Sequence, residues 1–315
     1  MLIGVDMGGT KCAGVAMRSD CTLIAEAVRP TPASGAAVLA TIQDVIDELV
    51  QRTRPERNPG GGEGRMRVGV GVPGLVTPDG VLRFAPHLFG VREVPLQALL
   101  TAALPPGSTV VVENDNTAAT WGEHRVGAAQ GCDDVLYVGL GTGIGGGIIS
   151  GGVLQRGHHG FAGEIGHMTV DRDGERCVCG RQGCWELVAS GTGLARLAGR
   201  AGEVVTAAAR AGDDRALEVL RRFAGAVAAG LTNLIVTLDP GVVVLGGGVL
   251  DPPDPLLGLV RQRLSPSLGD ASGHRPWPDI RAAALGRRAG SIGAALLALE
   301  PEASSAAPRG PGSQP

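Results

Sequence analysis

The strongest constraint on the fold is a pattern that this chain uses twice. Leu2-Ile-Gly-Val-Asp6-Met-Gly8-Gly9-Thr10-Lys11 runs on into apolar residues 13–17 and 22–25, which reads as a strand, a tight glycine turn, a returning strand and a third strand. Residues 135–140 (VLYVGL) begin a second such unit, followed by Gly141-Thr142-Gly143-Ile-Gly-Gly-Gly147 and the apolar pair Ile148-Ile149. Behind the first hairpin an amphipathic helical pattern falls on Val38, Leu39, Ile42, Val45, Ile46 and Leu49, and the strand 68–72 then ends in Pro73-Gly74. Behind the second, a helical pattern on Leu217, Leu220, Phe223, Val227, Leu231 and Leu234 precedes the strand 242–245 and Gly246-Gly247-Gly248. At 315 residues the chain exceeds one ordinary hydrophobic core. Two α/β halves are therefore expected.

The glycine turns have a chemical reading. Gly8 and Gly9 let backbone N–H groups face a phosphate, and the Thr10 hydroxyl adds a donor. Asp6, at a strand end, is placed to hold a magnesium ion or its water shell. Lys11 is the only lysine, leaving 27 of the 28 basic residues as arginine. An ammonium is a compact point charge, unlike a planar guanidinium, and it stands here directly after the glycine turn. A plain hairpin is the alternative for such a turn. In the second unit Gly141, Gly143 and Gly146 match the dinucleotide fingerprint, but that fingerprint requires a following helix. Residues 148–154 read as strand, turn and strand, so the Rossmann reading is rejected. Two halves facing across a cleft, each with a phosphate hairpin, make the α/β architecture of two actin-like ATPase (ribonuclease H-like) domains.

Residues 164–186 (EIGHMTVDRDGERCVCGRQGCWE, from 164) carry the second signal. His167, Cys177, Cys179 and Cys184 form the N/S donor set that zinc prefers, and four protein ligands leave no open position for a catalytic water. Buried small hydrophobes or a disulfide would be the plainer readings. The opening MLIGVDMGGTK has no long apolar leader, so a reducing cytosol is expected, where a tight cysteine cluster favours a structural Zn2+. Cys12, Cys21 and Cys132 are scattered and read as reduced. Folding His167 onto the cysteines brings the flanking carboxylates Glu164 and Glu186 together. His167 can bind metal through one ring nitrogen and donate through the other.

Composition excludes several classes. The net charge of −3 argues against nucleic acid or an anionic membrane surface as the main partner. No run approaches the roughly 20 apolar residues of a membrane span, the best being residues 223–236. A cytoplasmic protein is expected.

Asp6-Met-Gly-Gly-Thr-Lys11, Glu113-Asn-Asp115, Gly141-Thr-Gly-Ile-Gly-Gly146, Glu164-Ile-Gly-His167 and Cys177-Val-Cys-Gly-Arg-Gln-Gly-Cys184-Trp-Glu186, in this order, resemble the ROK family of bacterial sugar kinases and sugar-responsive repressors. The resemblance spans residues 2–299. It implies an ATP site between the hairpins, with magnesium accompanying ATP, a sugar site beside the zinc loop, and a homodimer or homotetramer. Glu113-Asn114-Asp115 closes the strand 109–112 before a helix, where Asn or Asp is an ordinary N-cap. Within the family pattern Asp115 is the general base that takes the proton of a sugar hydroxyl, and a helix N-terminus favours its negative charge. The resemblance also implies a sugar site of Gly74, Asn114, Asp115, Glu164, His167 and Glu186. It puts Thr10, Lys11, Gly141, Thr142 and Gly143 on the phosphates, and Gly246 and Gly247 on the adenosine side.

The expected activity is transfer of the γ-phosphoryl group of ATP to the 6-hydroxyl of glucose. Kinases for N-acetylglucosamine, N-acetylmannosamine or other hexoses are the alternatives within the family. Repressors of the family add an N-terminal helix-turn-helix, for which a phosphate hairpin starting at residue 2 leaves no room. The expected domains are 1–116 and 117–300, the second holding the zinc loop 167–184, with the last helix on the first domain. Residues 54–64 read as a mobile loop and 301–315 as a disordered tail.

Overall fold

Alternating apolar runs and glycine turns place both hairpins where the sequence pattern puts them. The structure, a computed structural model, describes residues 1–53, 65–85, 88, 91–267, 274 and 276–299; the loop 54–64 and the tail 301–315 lie outside these. β1 (Leu2–Met7), β2 (Lys11–Met17) and β3 (Leu23–Pro30) form an antiparallel meander. β4 (Arg67–Val72) and β8 (Thr109–Asn114) join it in parallel, giving the order β3-β2-β1-β4-β8. β9 (Val135–Leu140), β10 (Ile144–Ser150), β11 (Val153–Leu154), β12 (Val242–Gly246) and β13 (Asp279–Ala282) build the second sheet, ordered β11-β10-β9-β12-β13. Both sheets share one topology, and the duplication read from the sequence is structural.

Each sheet is covered on its outer face by the helix of its own half. α1 (Val38–Arg52) lays Val38, Ile42, Val45, Ile46 and Leu49 on the first sheet. α7 (Asp214–Leu238) lays Leu220, Phe223, Val227 and Leu231 on the second, supported by α4 (Glu186–Ala189), α5 (Gly191–Ala198), α6 (Gly202–Arg210) and α8 (Leu256–Ser267). At 25 residues, with an 18-residue stretch of mean hydropathy 1.4, α7 is long and apolar enough to cross a membrane by length and composition alone. This corrects the expectation that no run approaches such a span. Its apolar face is buried in the core of this half, and it also carries Asp214, Arg215, Arg221 and Arg222.

Between the sheets lie α3 (Asp115–Val126) and α9 (Ala289–Leu297). α9 packs on β1 and β4, α3 packs on β9 and β10, and the two helices pack on each other. A Cβ at Gly69 of β4 would stand 1.7 Å from the Ala294 carbonyl oxygen, and one at Gly293 would stand 1.7 Å from that of Ala118. Bare positions on both sides are what let the backbones approach so closely. The far end of α3 is fixed by Glu123, whose buried carboxylate accepts from the backbone N–H groups of Ala128 (2.7 Å), Ala284 (3.0 Å) and Leu285 (2.9 Å). The expected division at 116/117 falls in the first turn of α3. A smaller sheet, β5 (Leu75–Val76), β6 (Leu82–Ala85) and β7 (Val91–Val94), stands beside the end of β8, followed by α2 (Leu96–Ala103).

Gly69→Ala drives a methyl group into the backbone of α9, an overpacking that costs about 1–3 kcal/mol or more. A clear drop in the urea midpoint is expected. An unchanged midpoint would show that α9 does not seat on β4.

Candidate active site

The two hairpin turns face one cleft of about 720 Å³. In the first, Gly8 N–H donates to Lys11 O (2.8 Å), while Thr31 closes it from the side through Oγ1 to Gly8 O (2.6 Å) and N–H to Thr10 O (3.0 Å). In the second, Gly141 N–H donates to Gly143 O (3.0 Å). Residues at the start of α5 brace it, Gly191 N–H to Gly141 O (2.7 Å) and Thr192 Oγ1 to Thr142 O (2.8 Å). Gly8, Gly9, Gly141 and Gly143 do not use left-handed φ angles. A Cβ at Gly9 would meet no protein atom within 4 Å, and one at Gly141 only Gly143 O at 4.0 Å. The protein itself has no steric need for glycine at these two positions. The open space admits a ligand close to backbone N–H groups.

Asp115 opens α3, and Asn114 caps it. Asn114 Oδ1 accepts from Asn116 N–H (2.9 Å) and Thr117 N–H (3.1 Å), satisfying two orphan donors of the first turn. Asn114 Nδ2 donates to Gly74 O (3.1 Å). The capping role and a place in the cleft wall thus coexist, with Nδ2, not Oδ1, as the group left to offer a second donor hydrogen. Gly74 has φ +111°, and a Cβ there would stand 2.2 Å from Phe84 O, so glycine is required. Asp115 Oδ1 accepts from Asn116 N–H (2.8 Å) and Asn116 Nδ2 (2.9 Å). Behind it, buried Glu113 takes Asn114 N–H on Oε1 (3.0 Å) and the Arg156 guanidinium on Oε2 (2.5 Å). Asp6, at the end of β1, is pushed up to about 7 by burial and then by the charge of Asp115, with Lys11 opposing.

The cysteine loop closes the same cleft. Gly180, at φ +88°, donates its N–H to Cys177 O (2.9 Å) and makes a tight turn around Cys179. Bridges between Arg176 and Gln182 and between Thr169 and Cys184 bring the third cysteine back. One donor atom each from His167, Cys177, Cys179 and Cys184 falls within 4.8 Å of the others. The Cys179–Cys184 sulfur separation is 3.6 Å, close to the roughly 3.8 Å edge of a tetrahedron with zinc–sulfur bonds of about 2.3 Å. The donor set therefore fits zinc. His167 Nδ1 lies 3.6 Å from Cys177 Sγ and its Nε2 lies 3.7 Å from Glu164 Oε2. Glu186 Oε1 lies 3.4 Å from His167 Nδ1 and accepts from the Cys177 thiol (3.1 Å), a proton that metal binding would displace. Trp185, fully buried, anchors the loop by donating from Nε1 to Ala226 O on α7 (2.8 Å).

Glu164 and Glu186 both reach the cleft with His167. Crowding by the protein raises the Glu164 carboxyl, His167 lowers it, and Asp115 and Glu186 raise it further. Its side chain keeps 38 % of its surface exposed. Gly9, Thr10, Gly74, Asn114, Asp115, Gly141, Thr142, Gly143, Cys179 and Gly247 line the cavity too. Asp6, Gly8, Lys11, Gly246, Cys177 and Cys184 are not on its surface. Asp6 is nonetheless coupled by charge to Asp115 and Lys11. Sequence reading did not pick out Asn116, Tyr137, Phe84 and Arg181, which also line it. Tyr137, the one tyrosine, stands in an apolar strand and reads as core. Asn116, directly after Asp115, carried a usable signal as a second polar side chain on the helix's first turn.

A model of the ROK family matches residues 2–301. The chain is 36 % identical over 326 residues to the glucokinase of Streptomyces coelicolor, covering 96 % of this chain and 98 % of that protein. It is similar in structure to a ROK family glucokinase from Streptomyces griseus in complex with glucose and AMPPNP, with a TM-score of 0.83, 36 % identity and coverage of 94 % and 98 %. The ROK hexokinase of Thermus thermophilus gives a TM-score of 0.75 at 36 % identity, covering 94 % of this chain and 96 % of that one. The hairpins, the capped aspartate and the cysteine loop thus lie in a chain that belongs to the ROK family.

Proposed function

We propose that this chain is an ATP-dependent glucokinase, built as two actin-like α/β domains, with Asp115 as general base. The observation that carries the reading is one cleft flanked by two glycine hairpins, with Asp115, Glu164, His167 and Glu186 on its wall. Similarity to glucokinases over nearly the whole chain supports the choice of substrate. The wall suits a neutral polyol: carboxylates accept from sugar hydroxyls and repel anionic acceptors. Asp115 takes the proton of the 6-hydroxyl as that oxygen bonds to the γ-phosphorus. The bond from phosphorus to the β–γ bridging oxygen breaks, and ADP leaves. Such a loose transition state needs positioned groups more than a strong base.

The glycine turns at 8–9 and 141–143 take the phosphates through backbone N–H groups other than those of Gly8 and Gly141, which close the turns on themselves, with the Thr10 and Thr142 hydroxyls beside them, and Lys11 supplies the fixed cation. Gly246 and Gly247 border the adenosine. Asp6 would hold the magnesium that accompanies ATP, directly or through its water shell, and that ion would supply positive charge to the phosphates. His167, Cys177, Cys179 and Cys184 would hold a structural zinc, and their loop would then keep His167 and Glu186 against the sugar. A cytoplasmic homo-oligomer, with no nucleic-acid or membrane partner, completes the proposal.

An ADP-release assay with MgATP against glucose, mannose, fructose, N-acetylglucosamine and N-acetylmannosamine should give the highest kcat/KM for glucose. Preference for an N-acetylated sugar would overturn the substrate assignment, and silence on all of them the kinase reading. Asp115→Asn is expected to lower kcat by about 10²–10⁴-fold while calorimetric glucose affinity stays within a few-fold. Equal losses in both would make Asp115 a binding group only. Cys179→Ser should emerge from purification with sub-stoichiometric zinc and weaker glucose binding; full zinc by elemental analysis would remove Cys179 from the ligand set.

Asp6 also predicts a pH effect on the protein without nucleotide and magnesium. The folded chain keeps its proton up to about 7, whereas an unfolded chain releases it near about 3.9. Between these values the folded state binds the extra proton, so this group makes stability fall as pH rises through the window. The melting temperature of Asp6→Asn relative to wild type should therefore climb from pH 5 to pH 8. A constant difference would mean that Asp6 is ionised throughout.

A further inference from the structure

We propose that Asn116 is a positioning residue for Asp115, holding the carboxylate through its Nδ2 while its side chain is keyed into a glycine-lined notch of the β9–β10 hairpin. This rests on the kinase reading of the cleft and adds a residue to it.

Asn116 Nδ2 lies 2.9 Å from Asp115 Oδ1, and the Asn116 backbone N–H reaches the same oxygen at 2.8 Å. The amide orientation follows from its acceptor, since only Nδ2 can face a carboxylate oxygen. The last torsion of an aspartate is broad, so nothing intrinsic to Asp115 sets the plane of its carboxylate. Two donors on one oxygen set it, and a donor to an ionised acceptor is the stronger kind.

Gly139 of β9 and Gly145 of β10 are cross-strand partners. A Cβ at Gly139 would stand 2.3 Å from Asn116 Oδ1, and one at Gly145 would stand 2.1 Å from Nδ2. Neither glycine has a left-handed φ, so the turn does not demand them there. The space they leave is filled by the Asn116 amide. One helical turn on, Thr120 does the same at Gly147, where a Cβ would meet Oγ1 at 2.0 Å, and its hydroxyl donates to Asn116 O (2.6 Å). Each keyed glycine of the pair stands two residues from the tip, Gly139 from Gly141 and Gly145 from Gly143. Asn116 therefore ties the plane of the Asp115 carboxylate to the strands that carry the second phosphate turn.

The test uses Asn116→Ala, Asn116→Asp and, as a control for packing alone, Thr120→Ala, in the full chain. Asn116→Ala is expected to lower kcat by about 10- to 100-fold with the glucose KM within about twofold, as for a group that acts through the base. Losing a donor to the ionised form moves the acid limb of kcat/KM to higher pH. Asn116→Asp fills the notch equally well but has no donor, so its kcat should fall at least as far. Thr120→Ala should lower the melting temperature and leave the acid limb in place. Titration of Asp115 by ¹³C NMR in wild type and Asn116→Ala provides a readout without turnover, with the midpoint expected higher in the variant. Coincident titrations, a wild-type kcat in Asn116→Asp, or an acid limb that moves equally in Thr120→Ala would overturn the proposal. A wild type that phosphorylates no hexose would defeat the kinase reading, and the NMR comparison would still decide the role of Asn116.

Discussion

The geometry of the cleft depends on the absence of side chains where α9 meets β4 and α3. Gly69 and Gly293 allow backbone-to-backbone approach that any Cβ would prevent. Helix α9 comes from the end of the chain yet lies on the sheet formed by its beginning. Once α9 is seated, α3 has one place to go: against α9 on one side and the second sheet on the other. Leu2, Val15 and Met17 of the first sheet, Ala118 and Trp121 of α3, Val135 and Tyr137 of the second sheet and Ala294 of α9 share one buried cluster. The end of α3 that lines the cleft is thus fixed by packing remote from it. Glu123 serves the same end from the opposite terminus of the helix, its carboxylate satisfied by three backbone donors.

Much of this was legible in the residues. A hairpin interrupted by glycines, a helical run and a strand recur in order, and the two sheets repeat the same strand order. The cysteine loop was legible because CxC-Gly and the returning Cys184 have spacings that only a tight turn satisfies. Other features were hidden for physical reasons. The small β5–β6–β7 sheet has strands of two to four residues, too short for periodicity to register. The apolar run 223–236 covers only part of the 25-residue α7 because the helix's first turns are polar and charged. Asn116 could not be assigned a role from sequence, since its contacts on Gly139 and Gly145 cross more than twenty residues of intervening chain.

The glycines show why a motif can be read correctly for an incomplete reason. Gly74 and Gly180 are needed for their backbone conformations, as the usual account of glycine would have it. Gly9 and Gly141 instead leave the cleft unfilled, Gly139 and Gly145 receive a side chain, and Gly69 and Gly293 receive a backbone. Four different uses of one residue type account for part of the chain's 52 glycines. The last three can be told apart only in three dimensions.

Lys11 has a practical consequence. It is the chain's one lysine, partly exposed, in the first residue of the strand that leaves the first glycine turn. Apart from the α-amine, it presents the only aliphatic amine, because the other 27 basic side chains are guanidinium groups. An acylating dye, a biotin ester or an amine-directed cross-linker will therefore mark one side chain, at the first glycine turn, besides the α-amine. With the two amines told apart by peptide mapping, occupancy of the hairpin can be followed by how fast the Lys11 label attaches.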